Sequence, residues 1–178
     1  MREQGIPCSW MRGGTSKGAF FLAADLPDTQ RARDELLLSI MGSPDLRQID
    51  GLGGADPLTS KVAIVGPATR ADADIDYLFL QIAVDQPLVS DQQNCGNLLA
   101  GVGQFAIERG LLAASSPKTT VKVHLVNSGQ LATVTLETPD SVPRYSGDTT
   151  IAGVPGTAAA VLQNFPEVSM YPLCWQVS

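Results

Sequence analysis

Glycine-dense polar segments cut this chain into pieces too short for a long-helix architecture, and each segment lies directly against an apolar element. They are Met11-Arg12-Gly13-Gly14-Thr15-Ser16-Lys17-Gly18, then Gly51-Leu52-Gly53-Gly54-Ala55-Asp56-Pro57-Leu58-Thr59-Ser60, then Asp91-Gln92-Gln93-Asn94-Cys95-Gly96. Glycine adopts backbone angles closed to other residues, so such stretches bend freely and expose N–H groups suited to anions. Short strands, Ile6 to Trp10 and Ala19 to Ala23, are predicted on either side of the first segment. The second delivers Lys61 to the start of an apolar strand, Val62 to Val65, and the third places Cys95 just before a helix.

The remaining elements follow from periodicity. Ala32, Leu36, Leu37 and Ile40 mark a helix that Asp28 or Thr29 can cap and that Gly42 and Pro44 stop. A strand is predicted over Tyr77 to Val84, and a helix over Asn97 to Arg109 with apolar Leu98, Val102, Phe105 and Ala106. Thr120 to Val126 and Leu131 to Thr138 alternate around Asn127-Ser128-Gly129-Gln130, an antiparallel hairpin. Strands and helices mix without strict βαβ alternation, an α/β (α+β) pattern.

The 178 residues carry 12 Lys and Arg against 18 Asp and Glu, a net charge of -6 that argues against a nucleic-acid or anionic-membrane partner. Apolar runs such as Phe79 to Val84 fall far short of a bilayer span, and the start of the chain shows no signal-peptide pattern, so a cytoplasmic location is expected. Cys8, Cys95 and Cys174 are an odd set without a CxxC pair, which predicts neither a disulfide scaffold nor a zinc site. Neither a P-loop nor a dinucleotide-binding glycine motif is present, and the lone His124 excludes a Ser-His-Asp arrangement. Cofactor-free and metal-free chemistry is the expectation.

Cys95 at a helix start would meet the positive end of the helix dipole, with Gly96 and Asn97 offering N–H donors to a carboxylate or enolate; it can equally be a small buried apolar residue. Lys61 is either a partly buried general base or a solvated strand end. Arg12 and Lys17 flank Gly13 to Ser16 as donors suited to a polycarboxylate, or belong to a solvated turn. His124 alternates with Val123 and Leu125 and is expected to face solvent, without a catalytic role.

Four motifs in one order, Met11 to Gly18, Gly53-Gly54-Ala55 leading to Thr59-Ser60-Lys61-Val62, Gln93-Asn94-Cys95-Gly96-Asn97, and Gly153-Val154-Pro155-Gly156-Thr157, resemble the PrpF family of isomerases over about residues 4 to 165. The resemblance looks closest to the branch that includes 4-oxalomesaconate tautomerase, with 2-methylaconitate isomerase more distant. It implies a diaminopimelate-epimerase-like fold of two similar halves, a mixed sheet around a central helix in each, enclosing a site without cofactors that moves a proton between carbons of an unsaturated tricarboxylate. In that reading Lys61 is the base and Cys95 its acid/base partner or an anion-site residue. Arg12, Gly13, Gly14, Thr15, Ser16, Ser60, Asn94, Gly96 and Asn97 would hold carboxylates.

Family members are longer, so residues 1–165 are expected to correspond to an N-terminal half and 166–178 to an atypical tail. An absent second half would leave an apolar face open to self-association. The competing expectations are a 2-methylaconitate isomerase, an amino-acid racemase needing a second cysteine opposite Cys95, and a non-catalytic carboxylate-binding module.

Overall fold

The computed structural model describes residues 5–166. Its elements are β1 (Ser9–Gly13), β2 (Ser16–Leu22), α1 (Gln30–Met41), β3 (Lys61–Pro67), β4 (Ile75–Ile82), β5 (Val89–Ser90), α2 (Gly96–Glu108), β6 (Lys118–Leu125), β7 (Gln130–Glu137), β8 (Thr149–Ile151), β9 (Val154–Ala158) and β10 (Val161–Asn164). One mixed sheet runs β1-β2-β3-β4-β6-β7-β10, with β5 on the far end of β4; β8 and β9 form a separate hairpin. The β2–β3 and β4–β6 pairs are parallel and the other pairs in this sheet antiparallel.

The sheet curls around α2, which touches β1, β2, β3, β4, β7 and β10. Apolar residues on almost every side make α2 a helix that can only be interior: Leu98, Leu99, Val102, Phe105 and Ala106 are fully buried or nearly so. They pack on Phe20, Ala63, Val65, Tyr77, Phe79, Val121, Val134 and Leu136 from the concave face. The convex face carries a second core, Phe21, Val62, Leu80 and Ile82 under Leu37 and Met41 of α1. Strand alternation divides the two: Phe20 and Ala63 point to α2, Phe21 and Val62 to α1. The mixed sheet around a central helix that the motifs imply for each half is observed here.

Several boundaries match the periodicity closely. Thr29 caps α1 by accepting from the Ala32 N–H, and Gly42 ends it in the left-handed conformation. The first hairpin departs from expectation. Gly13 pairs with Ser16, so the ladder reaches into the glycine-rich motif and leaves only Gly14 and Thr15 as the turn. Arg12 and Lys17 are therefore cross-strand partners, not the flanks of a loop. His124 also differs. It does lie opposite Val123 and Leu125, but its parallel neighbour is Asp76, whose carboxylate contacts His124 Nδ1 at 2.8 Å. Both side chains are largely shielded, so the imidazole is a strand-pairing residue and not a solvated one. Gly153 of the fourth motif lies in the β8–β9 turn, and Val154 to Thr157 run into β9. The tail expectation for 166–178, beyond Pro166 itself, lies outside the described residues.

The long connection from α1 to β3 is organised by two side chains. Buried Gln48 donates to the Ser43 and Ser60 hydroxyls at 3.0 and 2.7 Å and accepts from the Ala55 N–H at 3.0 Å. Asp45 accepts from the Ile49 and Arg47 N–H groups at 3.0 and 3.3 Å. The Ile49 bond first, then Arg47, holds the Asp45 carboxyl below its ordinary value. A depressed carboxyl contributes stability that is present above the unfolded value, about pH 4, and lost as pH falls through the folded one. The Asp45→Asn variant is expected to lose less stability on acidification below about pH 4 than the parent does; urea unfolding across that range measures it.

Candidate functional site

The N-terminus of α2, the start of β3 and the β1–β2 turn meet at one end of the curled sheet. Lys61 opens β3, where Gly18 of β2 and Gln81 of β4 are its register neighbours, so its side chain projects from the concave face. That position buries it to 8% exposure. The ammonium lies 5.1 Å from the centre of the Phe79 ring and 3.9 Å from the Cys95 sulfur. Among the described residues no carboxylate pairs with it. An aromatic face and a sulfur offset only part of the cost of burying an ammonium, so an anion arriving here supplies the missing countercharge.

Cys95 is the N-cap residue of α2, and its side chain makes no capping bond. The thiol is thus left to Lys61. Its carbonyl accepts from Leu99 N–H at 3.0 Å and from the Tyr77 hydroxyl at 3.1 Å. Burial, with the nearby Cys95 adding to it, pushes the Tyr77 phenol well above its ordinary range, which keeps it a neutral donor. Among the described residues no group accepts from the N–H groups of Gly96, Asn97 and Leu98. They are the first-turn donors that a helix leaves unpaired, next to the amine–thiol contact.

The glycines of the first motif serve packing. A Cβ on Gly13 would sit 2.1 Å from the Asn97 carbonyl oxygen, and one on Gly14 would sit 2.2 Å from its side-chain oxygen. Only a bare backbone lets α2 begin there. Asn97 then donates to the Thr15 and Ser16 hydroxyls at 3.0 and 3.2 Å. Asn97 fills the side of Gly13 and Gly14 where a side chain would project.

Lys61, Cys95, Gly96, Asn97, Thr15 and Ser16 therefore converge. Others do not. Arg12 lies on the opposite face of β1 from Met11 and Gly13 and donates to the Gly14 carbonyl at 2.7 Å. Ser60 is fully buried, its hydroxyl held by Gln48. Asn94 turns its side chain to the Ser128 hydroxyl at 2.8 Å. A cavity of about 600 Å³ borders Gly13, Gly14, Asn97 and Gln104, without Lys61 or Cys95 on its wall. No group of three or more His, Cys, Asp and Glu suited to a metal occurs among the described residues, and none of their helices is long and apolar enough to cross a membrane. Tyr77, Phe79 and Asn127 escaped the sequence reading because an aromatic in an apolar strand and an Asn in a turn carry ordinary structural signals.

A mixed sheet curled on a buried helix, with an amine and a thiol in contact at that helix's start, defines an α/β unit with a candidate site at one end. A family model described as "PrpF protein" matches residues 3–170, and the chain belongs to that family. It is 60% identical to a protein of a Novosphingobium species called (4E)-oxalomesaconate Delta-isomerase, over 92% of this chain and 46% of the relative. It is 57% identical to the 4-oxalomesaconate tautomerase of Pseudomonas putida, over 95% of this chain and 47% of the relative. The crystal structure of a methylitaconate-delta-isomerase superposes with a TM-score of 0.86 at 52% identity, covering 89% of this chain and 41% of that one. The chain thus spans about half the length of the curated relatives it matches.

Gly13→Ala is expected to push the first turn of α2 off β1, costing about 1–3 kcal/mol as overpacking does. Chemical denaturation, with NMR of the Asn97 side-chain amide protons that contact Thr15 and Ser16, checks both parts.

Proposed function

We propose that this chain is one lobe, residues 1–165, of a cofactor-independent isomerase acting on an unsaturated tricarboxylate of the 4-oxalomesaconate type, and that a second lobe is needed for full activity. The observation that carries the reading is the Lys61–Cys95 contact of 3.9 Å beside the unpaired N–H groups of α2. The names of the relatives, an oxalomesaconate isomerase and tautomerase, support the substrate class.

In the proposed step Lys61, having first released its ammonium proton to water, uses the neutral amine to take a proton from a carbon next to a conjugated carboxylate or carbonyl. The C–H bond breaks, an N–H bond forms, and the electron pair spreads into an enolate. The α2 N–H groups offset that charge. A proton returns at the far carbon of the conjugated system, from the Lys61 ammonium, the Cys95 thiol or water, so the double bond moves and composition is unchanged. Nitrogen and sulfur at contact distance leave no space for a carbon between them. Substrate would therefore lie over the pair and not between its members, and protein-mediated removal and return would use one face. An amino-acid racemase, which attacks two opposite faces, fits this arrangement less well.

The test is C–H exchange with deuterated water, followed by NMR on 4-oxalomesaconate, using the chain alone and the chain extended by the second half of a relative. Exchange is expected with the extended chain at least; Lys61→Ala should lower it by about 10²-fold or more, while His124→Ala leaves it near the parent rate. Unaltered exchange in Lys61→Ala would overturn the assigned base, and carboxylate binding without exchange would leave a binding module.

A further inference from the structure

The β6–β7 turn reaches the reactive pair from behind. β4 and β6 pair in parallel only from Ile75 to Tyr77 against Val123 to Leu125, and a Val126 N–H to Tyr77 carbonyl bond of 3.0 Å ends the ladder. Phe79 lies beyond it, and its main-chain groups need partners. Asn127 supplies both, accepting from the Phe79 N–H at 2.9 Å and donating to its carbonyl at 2.8 Å. Its amide also donates to the Asp91 carbonyl at 2.8 Å.

One side chain thus joins the turn, strand β4 and the loop that leads to Cys95. The strand it holds carries the ring beside the Lys61 ammonium, and the loop it holds carries the thiol. Ser128 of the same turn accepts from Asn94, one residue before Cys95. We propose that Asn127 is a positioning residue that sets the approach of Lys61 to Cys95, acting through Phe79 and the 91–95 loop without touching either group. The proposal rests on the reading of Lys61 and Cys95 as the reactive pair.

The test compares Asn127→Ala and Asn127→Asp in the full chain; the aspartate keeps an acceptor for Phe79 but loses both donors. Thr120→Ala, which removes an exposed Thr120–Thr135 hydroxyl contact on the same hairpin, controls for simple loss of stability. The first readout is the NMR signal of the Lys61 ε-methylene, displaced by the Phe79 ring current and assigned with Lys61→Arg. The second is the rate of Cys95 modification by iodoacetamide at neutral pH, followed by peptide mass spectrometry. Both Asn127 variants are expected to return the ε-methylene signal toward its unstructured position and to change the Cys95 rate by about threefold or more, as coupled contacts do. Variants that melt earlier yet keep both readouts at the Thr120→Ala values would overturn the positioning role. If Lys61→Arg itself leaves the Cys95 rate unchanged, the pairing of Lys61 with Cys95 is what fails.

Discussion

The entry of α2 into the curled sheet is the constraint on which the rest of this structure depends. The helix must be apolar nearly all round because strands surround it, and its first turn must begin against β1, where side chains would collide. Gly13 and Gly14 make that contact feasible, and Asn97 fills the space they leave. Once the helix start is anchored, Cys95 as its N-cap residue has little freedom, and Tyr77 removes more of it by bonding the Cys95 carbonyl from within the core. Packing and candidate chemistry are here the same set of contacts.

Electrostatics around the pair are lopsided. A buried lysine ordinarily has a carboxylate partner, yet Lys61 has an aromatic face, a sulfur and the donor end of a helix around it. When protonated, Lys61 adds a positive charge here that no carboxylate among the described residues pairs with, although the chain as a whole carries a net charge of -6.

Much of this was legible in the sequence, though unevenly. Helix α1 and the β6–β7 hairpin announce themselves through local periodicity and turn residues, and the Lys61 and Cys95 motifs through their resemblance to a family. What stayed hidden depends on which strands become neighbours. His124 alternates with apolar residues as a surface residue would, but the parallel β4–β6 pairing brings Asp76 beside it. Arg12 sits within a glycine-rich motif that reads as a loop; the ladder extends through it, and the guanidinium folds back onto the Gly14 carbonyl. Ser60 is adjacent to Lys61 in the chain, and strand alternation with Gln48 turns it inward. The glycines of the first motif suggest an anion cradle from composition alone, and nothing local shows that a helix from another part of the chain packs where their side chains would be.

The two parallel joints have a consequence for the folding chain. Lys61 arrives at the end of the β2–β3 crossover and Cys95 within the β4–β6 crossover, 34 residues apart. Neither hairpin nor helix formation by itself can bring amine and sulfur together; that contact waits for non-local strand pairing, the slow part of folding in sheets of this kind. Nascent or partly unfolded copies therefore carry no assembled amine–thiol pair, and whatever reactivity it confers is reserved for chains that have completed their topology.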